Sequence, residues 1–364
     1  GLVSAALGWE KVESYDVGLD WGAFNNRLTG SFDYYVRNTK DMVGPAPELP
    51  ALLGTAVPKT NNTDLRTTGW ELQIGWRDHL ENGLNYGVTF NVSDAQAKVT
   101  RYPNNPTGSL SSYIENRKVG EIWGYETIGI AKTNDEMNQH LATLPNGGQS
   151  QLGDKWAAGD IMYKDLDGDG KISNGSNTLA DHGDLKVIGN KTPRYLFGLD
   201  LTASWKGFDF RAFMQGVMKR DYSDAKEFLF GATDSGVWWA AGITGVQDYF
   251  RDSETWSVKN GYESENLNAY LPRPQYSGKN IHTQTRYLLN AAYLRMKNLQ
   301  IGYTLPQSLV SKAGLGNVRF FVSAENLFTI TDLPSQFDPE TIDTDYGNGY
   351  PLSRTFSFGV NVTL

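Results

Sequence analysis

Arg354-Thr-Phe-Ser-Phe-Gly-Val-Asn-Val-Thr-Leu364, the last stretch of the chain, alternates strictly between two kinds of side chain. Phe356, Phe358, Val360, Val362 and Leu364 fall on one face; Thr355, Ser357, Gly359, Asn361 and Thr363 fall on the other. A period of two is the signature of a strand with one apolar and one polar face. In a soluble sheet the apolar face is buried under a second layer. In a membrane barrel it meets lipid, and the polar face lines a wet interior. A strand whose chain stops on its last apolar residue suits the closing strand of a barrel.

The same alternation recurs upstream. Tyr15 to Trp21, Leu28 to Val36, Trp70 to Trp76, Leu84 to Val92, Phe197 to Trp205, Phe208 to Met214, Leu299 to Leu305 and Val318 to Ala324 each repeat it, which with the last stretch predicts nine strands. Their connections also alternate. Short ones fall at 23–26, 78–83, 206–207 and 306–316, and long ones at about 39–66, 98–194, 218–290 and 328–353. In an up-and-down antiparallel sheet all short turns then share one end and all long loops the other. Outer-membrane barrels show that sorting, with short periplasmic turns and long outside loops, and a soluble sandwich gives no reason for it. Within the loops, a short strand is expected near Ile122–Ile130, a helix over Asp135–Leu141, and a one- or two-turn helix opened by Pro306 and ended at Gly314.

Composition fits. Of 364 residues 39% are hydrophobic, and no run approaches the roughly 18 consecutive apolar residues a spanning helix needs. Trp (10), Tyr (19), Phe (16) and Gly (39) are abundant, as strands and turns require. A net charge of -8 without a basic cluster argues against nucleic acid as a partner, and the absence of Cys removes disulfides and thiol chemistry. Trp21, Trp76 and Trp205 each close an outward face just before a short turn, and Tyr303 sits similarly. Such rings favour the membrane–water interface, so the four are read as an aromatic girdle rather than ordinary strand-end packing. Nine strands leave two open edges, which lipid does not tolerate; further strands are expected before Gly1, in a longer polypeptide.

These residues resemble a known family. Gly8-Trp-Glu-Lys11, Tyr35-Val-Arg-Asn-Thr-Lys-Asp-Met42, Val187-Ile-Gly-Asn190, Ser204-Trp-Lys-Gly-Phe-Asp209, Leu294-Arg-Met-Lys-Asn-Leu299, Gly302-Tyr-Thr-Leu-Pro306, Ala324-Glu-Asn-Leu327 and Tyr350-Pro-Leu-Ser-Arg-Thr355 occur in the order found in SusC/RagA-type TonB-dependent outer-membrane transporters. The chain is similar to their carboxy-terminal part. The resemblance implies an antiparallel transmembrane β-barrel of about 22 strands, with a plug and TonB box upstream of Gly1. It also implies a SusD-type surface lipoprotein as lid, dimers of transporter–lipoprotein pairs, and the outer membrane of a Gram-negative bacterium of the Bacteroidetes type. Oligosaccharide is the cargo it favours, with peptide next. A passive porin or adhesin barrel and a soluble β-rich carbohydrate-binding module are the rival readings.

Asp165-Leu-Asp167-Gly-Asp169-Gly-Lys171-Ile-Ser173 carries oxygen ligands at positions 1, 3 and 5 and Gly at 6, the opening of an EF-hand-like loop for Ca2+ or Mg2+. Lys171 would supply its carbonyl. Ser176 stands at position 12 instead of the bidentate Glu, and Asp181 or Asp184 could replace it. Trp238, Trp239 and Tyr249 could stack on a sugar or touch the lid, although internal packing of a large loop is the favoured reading. Arg194, Arg273, Arg286 and Arg295 could line a binding cavity. The four His show no zinc spacing, and no phosphate loop or nucleophile elbow occurs, so no enzyme is expected.

Overall fold

The computed structural model describes residues 7–44, 59–223, 248–275, 277–343, 350 and 352–364, which form two compact units. The first comprises residues 1–101, 192–220 and 290–364, the second residues 102–191 and 221–289.

The strands, in chain order, are β1 Lys11–Ala23, β2 Leu28–Gly44, β3 Thr60–His79, β4 Asn85–Arg101, β5 Glu121–Tyr125, β6 Thr127–Ile130, β7 Ile161–Tyr163, β8 Leu185–Asn190, β9 Arg194–Trp205, β10 Phe208–Lys219, β11 Asp221–Tyr222, β12 Leu289–Asn290, β13 Tyr293–Thr304, β14 Asn317–Glu325, β15 Thr329–Thr331 and β16 Thr355–Thr363. The first unit is one antiparallel sheet in the order β1-β2-β3-β4-β9-β10-β13-β14-β16. All nine expected strands are present, each paired with the next. β15 adds a second partner to the far end of β13, where Asn326 (φ +50°) interrupts the line from β14.

Register makes the two faces continuous, because residues directly opposite in an antiparallel pair point the same way. Leu28 faces Trp76, Trp76 faces Val88, Val88 faces Leu201, and Leu201 faces Ala212. One step nearer the short turns, Ala203, Phe210, Ile301, Val322 and Phe358 form a row, followed by Trp205, Phe208, Tyr303, Phe320 and Val360. This face is bare: Val17 is 74% exposed and Phe358 81%.

The opposite face is polar. Arg211 makes a two-pronged ion pair with Asp200 (3.1 and 2.8 Å), and Arg319 with Asp209 (2.9 and 2.6 Å). The second pair reaches from β14 to β10 over β13, and Gly302 makes that possible. A Cβ there would lie 2.5 Å from both Arg319 Nη2 and Asp209 Oδ1. Gly359 likewise leaves room for the Phe321 ring.

β2, β3 and β4 run well past their alternating parts, so the connection expected at 39–66 is confined between Gly44 and Thr60. The apolar pattern fades there because polar cross-strand contacts replace it: Lys40 with Glu13 (2.7 Å), Arg66 with Asn38 (2.9 Å), and Arg101 with Asp64 and Asp41 (2.8 and 2.9 Å).

The long connections expected at 98–194 and 218–290 join β4 to β9 and β10 to β13, and 102–191 and 221–289 within them fold together as the second unit. The strand expected near Ile122–Ile130 is two strands, β5 pairing with β8 and β6 with β7. The expected helix spans Asn134–Ala142. The Thr133 side chain caps the Glu136 amide (3.1 Å), and Glu136 answers at the Lys132 amide (2.6 Å). The segment after Pro306 is a short helix, Gln307–Val310, closed by a 3-10 turn and by Gly314 at φ +72°.

The second unit is locked by a buried charge pair. Asp160 and Lys279 are 0% and 2% exposed and meet at 2.8 Å. Lys279 also donates to the carbonyls of Asp154 and Lys155, and its ammonium lies 4.9 Å from the Trp156 ring centre. Asn280 and Gln275 donate to the other Asp160 oxygen at 3.0 and 2.7 Å. Removing one partner of such a pair strands a charge in the interior and costs about 3–5 kcal/mol. Lys279→Met in the full-length protein should therefore raise amide exchange in 102–191 and 221–289 together; exchange rising in only one of them would contradict a shared lock.

Candidate functional site

Two places combine chemistry with position: the acidic turn of the second unit and the polar face of the sheet. In the turn, Gly168 and Gly170 take φ of +78° and +80°, bending the chain around its own carboxylates. Asp165 accepts the amides of Gly168 (2.6 Å) and Gly170 (2.9 Å), and Asp167 that of Asp169 (3.1 Å). Asp184 reaches in from the start of β8 and accepts from Leu166 N (2.6 Å) and Ser173 N (2.7 Å).

Carboxylate oxygens of Asp165, Asp167 and Asp184 lie within 4.8 Å of one another. Asp169 is turned aside to the Lys171 ammonium at 3.1 Å, and the Ser173 hydroxyl accepts from Gly175 N at 3.2 Å. Asp181 is occupied by Ser176. The converging set is thus positions 1 and 3 of the expected loop plus Asp184, with position 5 outside it. Burial pushes the Asp184 carboxyl above its ordinary range; backbone donation works against this, and the neighbouring Asp167 and Asp165 charges add to it. A fully buried carboxylate facing two others, with a raised affinity for a proton, is chemically suited to a hard cation.

The four arginines each have partners among the described residues. Arg194 is paired with Asp94, and Arg295 with Asp338 (2.9 Å) and Glu340 (3.1 Å). Arg286 donates to the carbonyls of Tyr270 and Ala269, and Arg273 approaches Asp160 at 3.6 Å. Arg194 and Arg295 tie strand ends within the first unit, and Arg273 and Arg286 tie segments within the second; sequence spacing does not reveal the partners of Arg194 and Arg273, about a hundred positions away.

Trp238 and Trp239 lie outside the described residues. Tyr249 gives its hydroxyl to Glu263 at 2.6 Å and stacks under Arg251. An exposed aromatic pair that the sequence reading did not single out lies close by in the chain: Trp256 and Tyr262 stack nearly in parallel.

Trp21, Trp76, Trp205 and Tyr303 all lie on the apolar face near the short turns. Trp205 and Tyr303 share one register row, while Trp76 and Trp21 step upward on earlier strands. A sheared sheet with tilted strands produces such steps at constant distance from the turns. Two of them also meet polar groups. Trp205 Nε1 donates to Asn82 O (3.2 Å) with Lys206 above its ring, and Trp76 lies beneath Arg27.

No protein-family model matches the chain. It is 30% identical over 383 residues to the TonB-dependent receptor P3 of Formosa agariphila, covering 98% of this chain and 34% of that protein. It is 24% identical to the TonB-dependent receptor SusC of Bacteroides thetaiotaomicron, over 98% and 32%. The solved RagAB peptide transporter superposes with a TM-score of 0.68 at 25% identity, covering 98% of this chain and 36% of that one. The chain thus spans about a third of the length of the relatives it matches, and these are receptors and transporters, not enzymes. Its homologues over nearly its whole length are the TonB-dependent outer-membrane transporters of the SusC/RagA type, and its nine-stranded sheet is a segment of their β-barrel fold.

Proposed function

We propose that this chain forms wall and outer loops of a TonB-dependent importer that takes up an oligosaccharide across a Gram-negative outer membrane. The observation that carries the reading is the sheet itself. Nine strands present an apolar face to one side over their parts nearer the short turns, and a polar face to the other. Lipid suits the first face and a hydrated lumen the second. Thr89, Asn91, Thr202, Asn298, Gln300 and Ser323 lie on the polar face, and their neutral hydroxyls and amides match sugar hydroxyls. A SusD-type lipoprotein closes over the outer loops, two such pairs assemble as a dimer, and TonB acts through a part of the protein outside this chain.

Deleting the gene for the whole protein in its source bacterium should abolish growth on particular oligosaccharides and spare growth on peptides. Loss of growth on peptides alone would favour the second reading, peptide import, which the likeness to the RagAB peptide transporter supports. An uncoupler that collapses the proton gradient should stop uptake; uptake that persists would mark a passive barrel.

Asp165, Asp167 and Asp184 are proposed to hold a structural Ca2+ or Mg2+, which would supply charge neutralisation to the turn. Because the folded state binds the Asp184 proton more tightly than the unfolded chain does, stability without a cation falls as pH rises through the carboxylate range. In EDTA, proteolysis near residues 165–184 should therefore quicken as pH rises from about 4 to about 6, and added Ca2+ should cancel that rise. Cleavage indifferent to chelator at every pH would dismiss the cation.

A further inference from the structure

The second unit presents an exposed stack of two aromatic rings. Trp256 opens the short helix Trp256–Lys259, and the chain reverses through Asn260 and Gly261, the latter at φ +74°. The amides of Tyr262 and Glu263 return to the Ser257 carbonyl at 2.9 and 3.3 Å, and the Asn260 side chain holds the Trp256 carbonyl at 2.7 Å. Glu263 is fixed in turn by the Tyr249 hydroxyl at 2.6 Å and by Arg251 at 3.5 Å. This framework sets the Tyr262 ring against the Trp256 ring, with centroids 5.4 Å apart and planes 18° from parallel. Both side chains face solvent, at 70% and 73% exposure. Among described residues 248–275 no other large apolar side chain is exposed, and the rim is polar: Glu254, Lys259, Ser264 and Glu265.

We propose that the outward face of the Trp256–Tyr262 stack takes one pyranose ring of a neutral oligosaccharide, with the second ring backing the first, an outer contact that rests on the glycan reading above. The axial C–H groups of a sugar ring, polarised by neighbouring oxygens, complement the negative face of an aromatic ring. The ring's hydroxyl edges then fall on the polar rim. Two rings bury about 150–250 Å² each, well short of the roughly 800 Å² that each partner buries in a stable protein interface. Glu254 and Lys259 pair with each other at 2.5 Å, so the rim selects neither sign of ligand.

The test uses the full-length transporter with its lipoprotein in nanodiscs, titrated calorimetrically with maltohexaose, cellohexaose, mannohexaose and a tetra-alanine peptide. For whichever sugar binds, Trp256→Ala and Tyr262→Ala should each weaken binding by about tenfold, and Trp256→Phe should keep most of it. The exposure of both side chains makes loss of folding from these truncations small. Unchanged sugar affinity in both alanine variants overturns this contact while leaving the glycan reading intact. Weakened peptide binding in place of sugar binding overturns it too. If the wild type binds none of the three sugars, both readings fall.

Discussion

A backbone in hydrocarbon has no water to bond, so each of its amides and carbonyls must find a partner in the protein. That constraint organises the first unit. Nine strands pair in strict sequence order, and their register keeps every outward residue opposite another outward residue. A slip of one residue at any pairing would send Phe and Val into the polar side and Arg, Asp and Asn into lipid. The apolar stripe and the hydrogen-bonded ladder therefore specify each other.

The polar face carries the complementary requirement. Its charges are tied in two-pronged pairs between strands, Arg211 with Asp200 and Arg319 with Asp209. The glycines among them are packing devices, Gly302 passing an ion pair over its own strand and Gly359 seating Phe321. The second unit obeys a different physics. It has a small apolar core around Ala131, Met137 and Met162, and its two chain segments are joined by the satisfied Asp160–Lys279 pair. Such a pair contributes specificity of arrangement more than net stability.

What the sequence made legible follows from the range of the signals. A period of two survives in any run of six residues, so Tyr15–Trp21 and Phe356–Leu364 reveal their strands without help from the rest of the chain. The Thr133 and Glu136 cap is equally local. The polar far ends of β2, β3 and β4 carry no such period, because Arg101 and Lys40 are stabilised by partners across strands. In the acidic turn the spacing marked Asp165, Asp167 and Asp169 and offered Asp181 or Asp184 from beyond the loop; the fold brings Asp184 to Asp165 and Asp167, while Lys171 two residues on diverts Asp169. The arginine partners and the Asp160 lock join residues as far as about a hundred positions apart, which no spacing rule reaches.

The central claim is that alternate residues of one strand meet lipid and water. Spin labels placed singly at Phe320, Phe321, Val322 and Ser323 in the full-length protein, reconstituted in liposomes, measure this through collision with oxygen and with a water-soluble nickel chelate. Labels at 320 and 322 should favour oxygen, and labels at 321 and 323 the chelate. Equal chelate access at all four positions, or protection of 320 and 322 from both reagents, would contradict it.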